Sequence, residues 1–590
     1  MPTLDPHSHA DLEQGRVKHL DVRLEVDFDR RVLHGEAVLH FEIPGEGPLD
    51  LDTRDLDIHA VTDRSGTPLE TSLGEPGGYM GTRLTVMRPA GLQALVVRYT
   101  TSPDASALQW LEPANTAGGQ HPFLFSQCQP IHARSMVPCQ DTSRARITYT
   151  AEITVPEPLT AVMSAAPGKA RPGPRPGTNT FAFSMPQPIP SYLLALAVGD
   201  LASRDLGPRS RVYAEPATLE AAAWEFAEVD DMLREAEGLF GTYLWERFDF
   251  LVMPPAFPYG GMENPRLTFL TPTLIAGDRS LVRVLAHELA HSWTGNLVTN
   301  ATMNDFWLNE GFTVWAERRI LERLQGREAI ALAAAIGRHG LEVDMAEFGE
   351  DSPYTRLEND LAGIDPDEVY SLVPYEKGFL FLTLLERTVG REAWDAFLVD
   401  YIDQFRFTSI TTAEFEAFVE DSFPGLLGRV GAEAWLRGSG VPDNAPVFVS
   451  NRLEALWRLA DGWKQGERPD PSVASDWSTA EWLVFLQRLP RDLGGDGCAW
   501  LDEHFGLNQS GNAEILGEWL VMAATSAYEP AYERIRAFLG SVGRMKFLKP
   551  LYAALHRGES TRPMAQELYD AYRDRYHPIA RIGLELLLAE

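Results

Sequence analysis

His287-Glu288-Leu289-Ala290-His291 sets two histidines four residues apart. On a helix, positions i and i+4 share a face, so both imidazoles can reach one metal ion. Zinc in a hydrolase takes three protein ligands and keeps a fourth position open. Eighteen residues separate His291 from Glu310. If Glu310 opens the next helix, a helical hairpin returns its carboxylate to the same metal. By composition, HExxH arises in roughly a few per cent of chains this long. The downstream glutamate inside WLNEGFTVW is therefore what carries the metal reading, and two histidines with one carboxylate suit zinc. Glu288 is better placed for proton transfer than for ligation. It can take a proton from a water whose pKa zinc lowers to about 7 and pass it to a leaving amine. Glu317, two helical turns beyond Glu310, faces the same way. It reads equally as a partner of a zinc histidine or as a salt bridge at the edge of the core.

Upstream lies Tyr259-Gly260-Gly261-Met262-Glu263-Asn264-Pro265. Adjacent glycines let a backbone approach a ligand closely, and Glu263 beside them could hold an ammonium group. As a bare pattern this is weak, because glycine followed by polar residues is most often a turn.

The elements that must position these residues follow from periodicity. Leu20, Val22, Leu24, Val26 and Phe28 alternate with polar residues, as do Ala37–Ile43 and Ala145–Val155. Period two is the mark of strands with one buried face, usually in antiparallel sheets. Gly/Pro-rich breaks separate these runs, so residues 1–205 read as a β-rich sandwich or saddle. The next part reads as mixed. Thr218–Phe240 has helical spacing, Phe248–Met253 is strand-like, and 278–293 reads as a helix capped by Asp278 or Ser280. A further helix is expected over Glu310–Gln325. Residues 206–440 form this catalytic part and 441–455 a linker. Residues 456–590 show short amphipathic helical segments, such as Asn512–Ala524 and Arg562–Tyr572, with the spacing of stacked helix pairs. The fold class is multidomain α+β.

The chain has 590 residues and 44% apolar residues, ordinary globular composition. Lys+Arg total 52 and Asp+Glu 84, a net charge of −32. Such a surface repels phosphate, so nucleic acid and anionic membranes are poor candidate partners. Cys128, Cys139 and Cys498 make no disulfide framework and no paired CxxC zinc site, which suits a reducing compartment. The N-terminus is polar and no run of 18 apolar residues exists. A soluble cytoplasmic monomer without membrane insertion is expected.

Taken together, HELAHSW, WLNEGFTVW at that spacing and PYGGMENP resemble the gluzincin zinc aminopeptidases. FSQCQPIHARSMVPCQDT (Phe125–Thr142), DPDEVYSLVPYEKGF (Asp365–Phe379) and GRMKF (Gly543–Phe547) resemble the leukotriene-A4 hydrolase/aminopeptidase subgroup and its bacterial relatives. The motifs occur in the family's order over most of the chain. The resemblance implies an N-terminal β-saddle, a thermolysin-like catalytic domain and a C-terminal α-helical, solenoid-like domain around a deep cleft. It implies one zinc ion on His287, His291 and Glu310, with Glu288 as general base. It implies that Glu263, aided by Gln129 and the Gly260-Gly261-Met262 backbone, binds a free α-amino group. Tyr375 would donate its hydroxyl to the oxyanion, and Arg544 with Lys546 would bind the carboxylate of a short peptide. Asp367 and Tyr370 match positions the family uses on an epoxide, and Asp367 is also placed for the substrate's first side chain.

The resulting function is removal of the N-terminal residue from short peptides with a free amino terminus. Hydrolysis of a fatty-acid epoxide is the alternative, since Asp367, Tyr370, Tyr375 and Arg544 are all present. An inactive zinc-stabilised peptide-binding scaffold ranks below both, because Glu288, Tyr375 and Glu263 all stand.

Overall fold

Alternation sets the architecture of the first third. In the strand Val17–Asp27, Leu20, Val22, Leu24 and Val26 are buried while their neighbours face outward. The computed structural model describes residues 4–349 and 351–589. Val17–Asp27, Val32–Thr53 and Thr82–Thr100 pair antiparallel in a nine-stranded sheet. Arg146–Pro156 joins it with a different sense. It runs parallel to Val17–Asp27, with Leu20 opposite Tyr149. Alternation cannot reveal this, because it fixes the buried face and not the strand direction. A four-stranded sheet, from Leu108–Leu111 to Leu196–Gly199, packs into the same core.

The second part is built on a five-stranded sheet. Its parallel strands Phe250–Val252 and Thr268–Leu270 carry the short edge strand Gly261–Met262, which pairs antiparallel to Thr268–Leu270. Against that edge lies the helix Val282–Ala290, which carries the HExxH motif. It is shorter than the sequence predicts and starts from Leu281, with no side-chain cap from Asp278 or Ser280. The predicted Thr218–Phe240 helix is two helices, Pro216–Glu225 and Val229–Phe240. The Glu310 helix begins three residues early, as Trp307–Gln325, and is buried over most of its length. This places Glu310 in the first turn.

Residues 441–450 form no helix or strand, and the helix Asn451–Lys464 follows. The helical segments expected beyond it are present, among them Thr479–Arg488, Ala513–Thr525, Tyr532–Leu539 and Arg562–Tyr572. They share a core of their own, which also takes in Ala331 and Leu332 of the helix Arg327–Phe348. This third part touches the second where Gly543 lies against the backbone of Pro255 and Ala256. The Met545 N–H donates to Pro258 O at 2.8 Å there.

Candidate active site

The HExxH helix puts its two imidazoles edge to face, with ring centroids 4.8 Å apart. The Nε2 atoms of His287 and His291 are 3.2 Å apart. Glu310 Oε2 lies 3.4 Å from the first and 3.5 Å from the second. Each ring's other nitrogen is committed. His287 Nδ1 lies 3.1 Å from Glu317 Oε2, and His291 Nδ1 lies 3.1 Å from Thr294 O. In the tautomer that donates Nδ1–H to those oxygens, each Nε2 offers its lone pair to a metal. The two Nε2 atoms and a carboxylate oxygen face one point. Glu310 Oε2 is buried with no hydrogen-bond partner. Atoms at these separations share a point about 2 Å from each, the ligand distance of zinc to imidazole nitrogen and carboxylate oxygen. The donor set therefore fits the metal the sequence implies.

The surroundings reinforce the arrangement. Burial pushes His291 down to about 4, so its ring stays neutral. Burial alone would raise Glu317, but Arg283 and His287 outweigh it and hold that carboxyl down to about 2. Arg283 Nε donates to Glu317 Oε1 at 2.6 Å. Glu317 thus makes both contacts that its sequence position left open, one to His287 and one salt bridge to Arg283. Thr313, unmarked by the sequence reading, lies 3.1 Å from His291 Nδ1 and donates to Thr294 O at 2.7 Å. Its signal was available: it sits one turn beyond Glu310 on the same helical face.

Glu288 is buried beside this point, with Oε2 unpartnered. Burial pushes its carboxyl well above the usual range. The edge strand brings Gly261 against the Glu288 side chain. Met262 is buried, its sulfur accepting from Gln127 Nε2 at 3.1 Å, and Gly260 O accepts from Thr271 N–H at 3.0 Å. Glu263 is buried behind them. Gln129 Nε2 donates to its Oε1 at 3.2 Å, and Asn296 Nδ2 donates to its backbone oxygen at 2.8 Å. Burial, then the charge of Glu310, pushes Glu263 up to about 8. Glu263, Glu288 and His291 form a second grouping of metal-capable atoms that shares His291 with the first.

On the opposite wall, residues 373–377 make one turn of π-helix leading into the helix Gly378–Val389. Such turns are frequent at functional sites. This one presents Tyr375 nearly parallel to His287, at 6.2 Å and 19°. Burial and the charge of Glu310 push the Tyr375 hydroxyl well above its ordinary value, so it remains a donor. Its oxygen lies 3.0 Å from that of Tyr370. The approach depends on two glycines the sequence reading did not single out. A Cβ on Gly311 would lie 2.8 Å from Gly378 Cα and 3.0 Å from Pro374 O.

Asp367 stands in the 3-10 turn Pro366–Val369 just before Tyr370, and His132 Nε2 lies 2.8 Å from its Oδ2. Tyr370 reaches Tyr259 at a ring separation of 6.1 Å. Arg544 is buried, and a Cβ on Gly260 would lie 2.7 Å from its Nη2. Lys546 is half exposed. Both cations bond Glu514, a buried carboxylate absent from the sequence reading. Contacts thus tie the predicted residues together across the three parts of the chain, with Gln129 of the first on Glu263 of the second and Arg544 of the third against Gly260.

Comparison with known proteins shows the family of the chain. The chain is 39% identical over 605 residues to a leukotriene A-4 hydrolase of Xenopus laevis, covering 99% of this chain and 98% of that protein. The chain belongs to peptidase family M1, in its leukotriene A4 hydrolase/aminopeptidase subgroup. Residues 16–193 match the peptidase M1 N-terminal domain, and 224–429 the peptidase family M1 domain. Residues 477–588 match the leukotriene A4 hydrolase C-terminal domain. A leucine aminopeptidase 2 of Yarrowia lipolytica is 38% identical over 98% of this M1 chain and 93% of its own. Among solved M1-family structures, yeast LTA4 hydrolase in complex with bestatin superposes with a TM-score of 0.93. It is 32% identical and covers 100% of this chain and 98% of its own. The three-part architecture is thus that of the subgroup.

Proposed function

We propose that this protein is a zinc aminopeptidase that hydrolyses the N-terminal residue from short peptides, with one zinc ion on His287, His291 and Glu310. The observation that carries the reading is the convergence of Nε2 of His287, Nε2 of His291 and the unpartnered Glu310 Oε2 beside the buried Glu263. When bound, zinc supplies Lewis acidity toward the scissile carbonyl and lowers the pKa of water. Glu288 takes the proton of the attacking water and gives it to the leaving amine. Tyr375 donates its hydroxyl to the oxygen that gains charge, from a position fixed before the substrate arrives.

Glu263 accounts for the exopeptidase character. Its burial opposes ionisation, so its charged form needs a cationic partner. The α-ammonium of a peptide is that partner, with Gln129 fixing the carboxylate and Gly260, Gly261 and Met262 bringing the strand close. An acylated terminus leaves Glu263 without it. Asp367 and Tyr370 border the first side chain, and Arg544 with Lys546 receive the C-terminal carboxylate.

The reading includes a cytoplasmic monomer, and the three free, buried cysteines suit a reducing compartment. No helix among the described residues is long and apolar enough to cross a membrane, and the net charge of −32 repels nucleic acid. A second reading, hydrolysis of a fatty-acid epoxide, is favoured by the paired hydroxyls of Tyr370 and Tyr375 near Asp367. Turnover of aminoacyl anilides and of a lipid epoxide, before and after chelation with zinc add-back, tests both. Anilide cleavage lost on chelation and restored by zinc supports the peptidase. Epoxide turnover alone by zinc-loaded protein overturns it.

A further inference from the structure

Glu514 sits under the two cations at the carboxylate end of the cleft. It is the second residue of the helix Ala513–Thr525, whose cap Asn512 accepts from the N–H groups of Glu514 and Ile515. Asn512 Nδ2 in turn donates to Thr479 Oγ1 at 2.9 Å and to Ser280 Oγ at 3.1 Å. Ser280 lies just before the HExxH helix, so the start of the Ala513–Thr525 helix is fixed against the catalytic part. Glu514 Oε1 accepts from Arg544 Nη1 at 3.0 Å, and Oε2 accepts from Lys546 Nζ at 2.6 Å. Burial opposes its charge, but Lys546 and Arg544 outweigh burial and hold the carboxyl down to about 2. Arg283, the next cation, is already paired with Glu317. The anchor therefore holds two positive charges and one negative, a net of one.

We propose that Glu514 is a positioning residue that sets the charge specificity of this anchor. It orients Arg544 and Lys546 and cancels one of their charges, so the cleft favours a peptide whose last residue carries a single carboxylate. The inference rests on the aminopeptidase reading for the identity of the ligand. A second carboxylate on the last residue meets an anchor whose single net positive charge the first already takes, in a chain of net charge −32. With Gln at 514, both cations stay and the anchor's net charge rises to two.

The test is equilibrium binding of Ala-Ala-Asn and Ala-Ala-Asp by calorimetry to zinc-loaded Glu288→Gln protein, which leaves the peptides uncut. Adding Glu514→Gln is expected to shift the ratio of the two affinities about tenfold toward the Asp-ending peptide. Adding Glu514→Asp, which restores the charge, is expected to keep the original ratio. A purely structural role for Glu514 would weaken both peptides together and leave the ratio unmoved. An unmoved ratio in Glu514→Gln, an equal shift in Glu514→Asp, or no binding of either peptide to the Glu288→Gln protein overturns the proposal. Failure of the aminopeptidase reading is seen separately, as zinc-loaded protein with native Glu288 that cuts neither peptide.

Discussion

A Cβ added to Gly261 would lie 2.6 Å from Glu288 Cγ, and closer still to its Cδ and Oε1. The clash involves the middle of the side chain, so turning the carboxylate alone cannot relieve it. Gly261 is held in register opposite Leu270, which stops the strand from retreating. Its role is space. Gly261→Ala is therefore expected to displace Glu288 and cut kcat about 10²-fold, since misplacement by about 1 Å costs that much. Zinc content should be unchanged by elemental analysis. A normal kcat would show that Glu288 has room to act from elsewhere.

Glu317 contacts His287 Nδ1 and is expected to act through it. Its charge is secured by Arg283, and its contact with Nδ1 turns Nε2 toward the metal point. Replacing it by Gln should weaken zinc affinity about 10- to 100-fold, the usual cost of losing such a partner. Competition with a chromogenic chelator measures this directly. Wild-type affinity in Glu317→Gln would reduce Glu317 to a salt bridge with Arg283.

Glu263→Ala removes the carboxylate assigned to the ammonium. The variant should lose at least about 10²-fold in kcat/KM on free peptides, the scale of a buried charge pair losing one member. Its preference for free over N-acetylated substrates should shrink. Steady-state kinetics on matched pairs checks this, and an undiminished preference would move the amine anchor away from Glu263.

Arg544→Ala should raise KM for free tripeptides about tenfold or more while largely sparing aminoacyl anilides, which have no C-terminal carboxylate. Among the described residues, the buried Glu514 carboxylate would then keep only Lys546 as a side-chain partner. An equal loss on both substrate kinds would mean that Arg544 supports the fold of the cleft and not the carboxylate.

Much of the site was legible because its chemistry is local. His287 and His291 declare themselves by helical spacing, and Glu310 by its distance from them. The strands of residues 20–28 and 145–155 showed their buried faces through alternation, yet not that they run parallel, since pairing partners lie far apart in sequence. The contact of Gly311 with Gly378 joins segments 67 positions apart (378 − 311) and has no one-dimensional signature. Glu514 was hidden for a related reason. A glutamate in the first turn of a helix is ordinary, and only the packing of that helix against the start of the helix Met545–Arg557 gives it two cations to hold. Candidates for the chemistry were thus readable, whereas several residues packed against them emerged only from tertiary structure.

The central claim is that Glu263 and the His287–His291–Glu310 centre together make a peptidase that requires a free amino terminus. The most direct measurement is mass-spectrometric release of the first residue from one tripeptide, free and N-acetylated, by the zinc-loaded enzyme. The account predicts rapid release from the free peptide and at least about 10²-fold slower release from the acetylated one. Equal rates on both, or cleavage at the second bond, would contradict it.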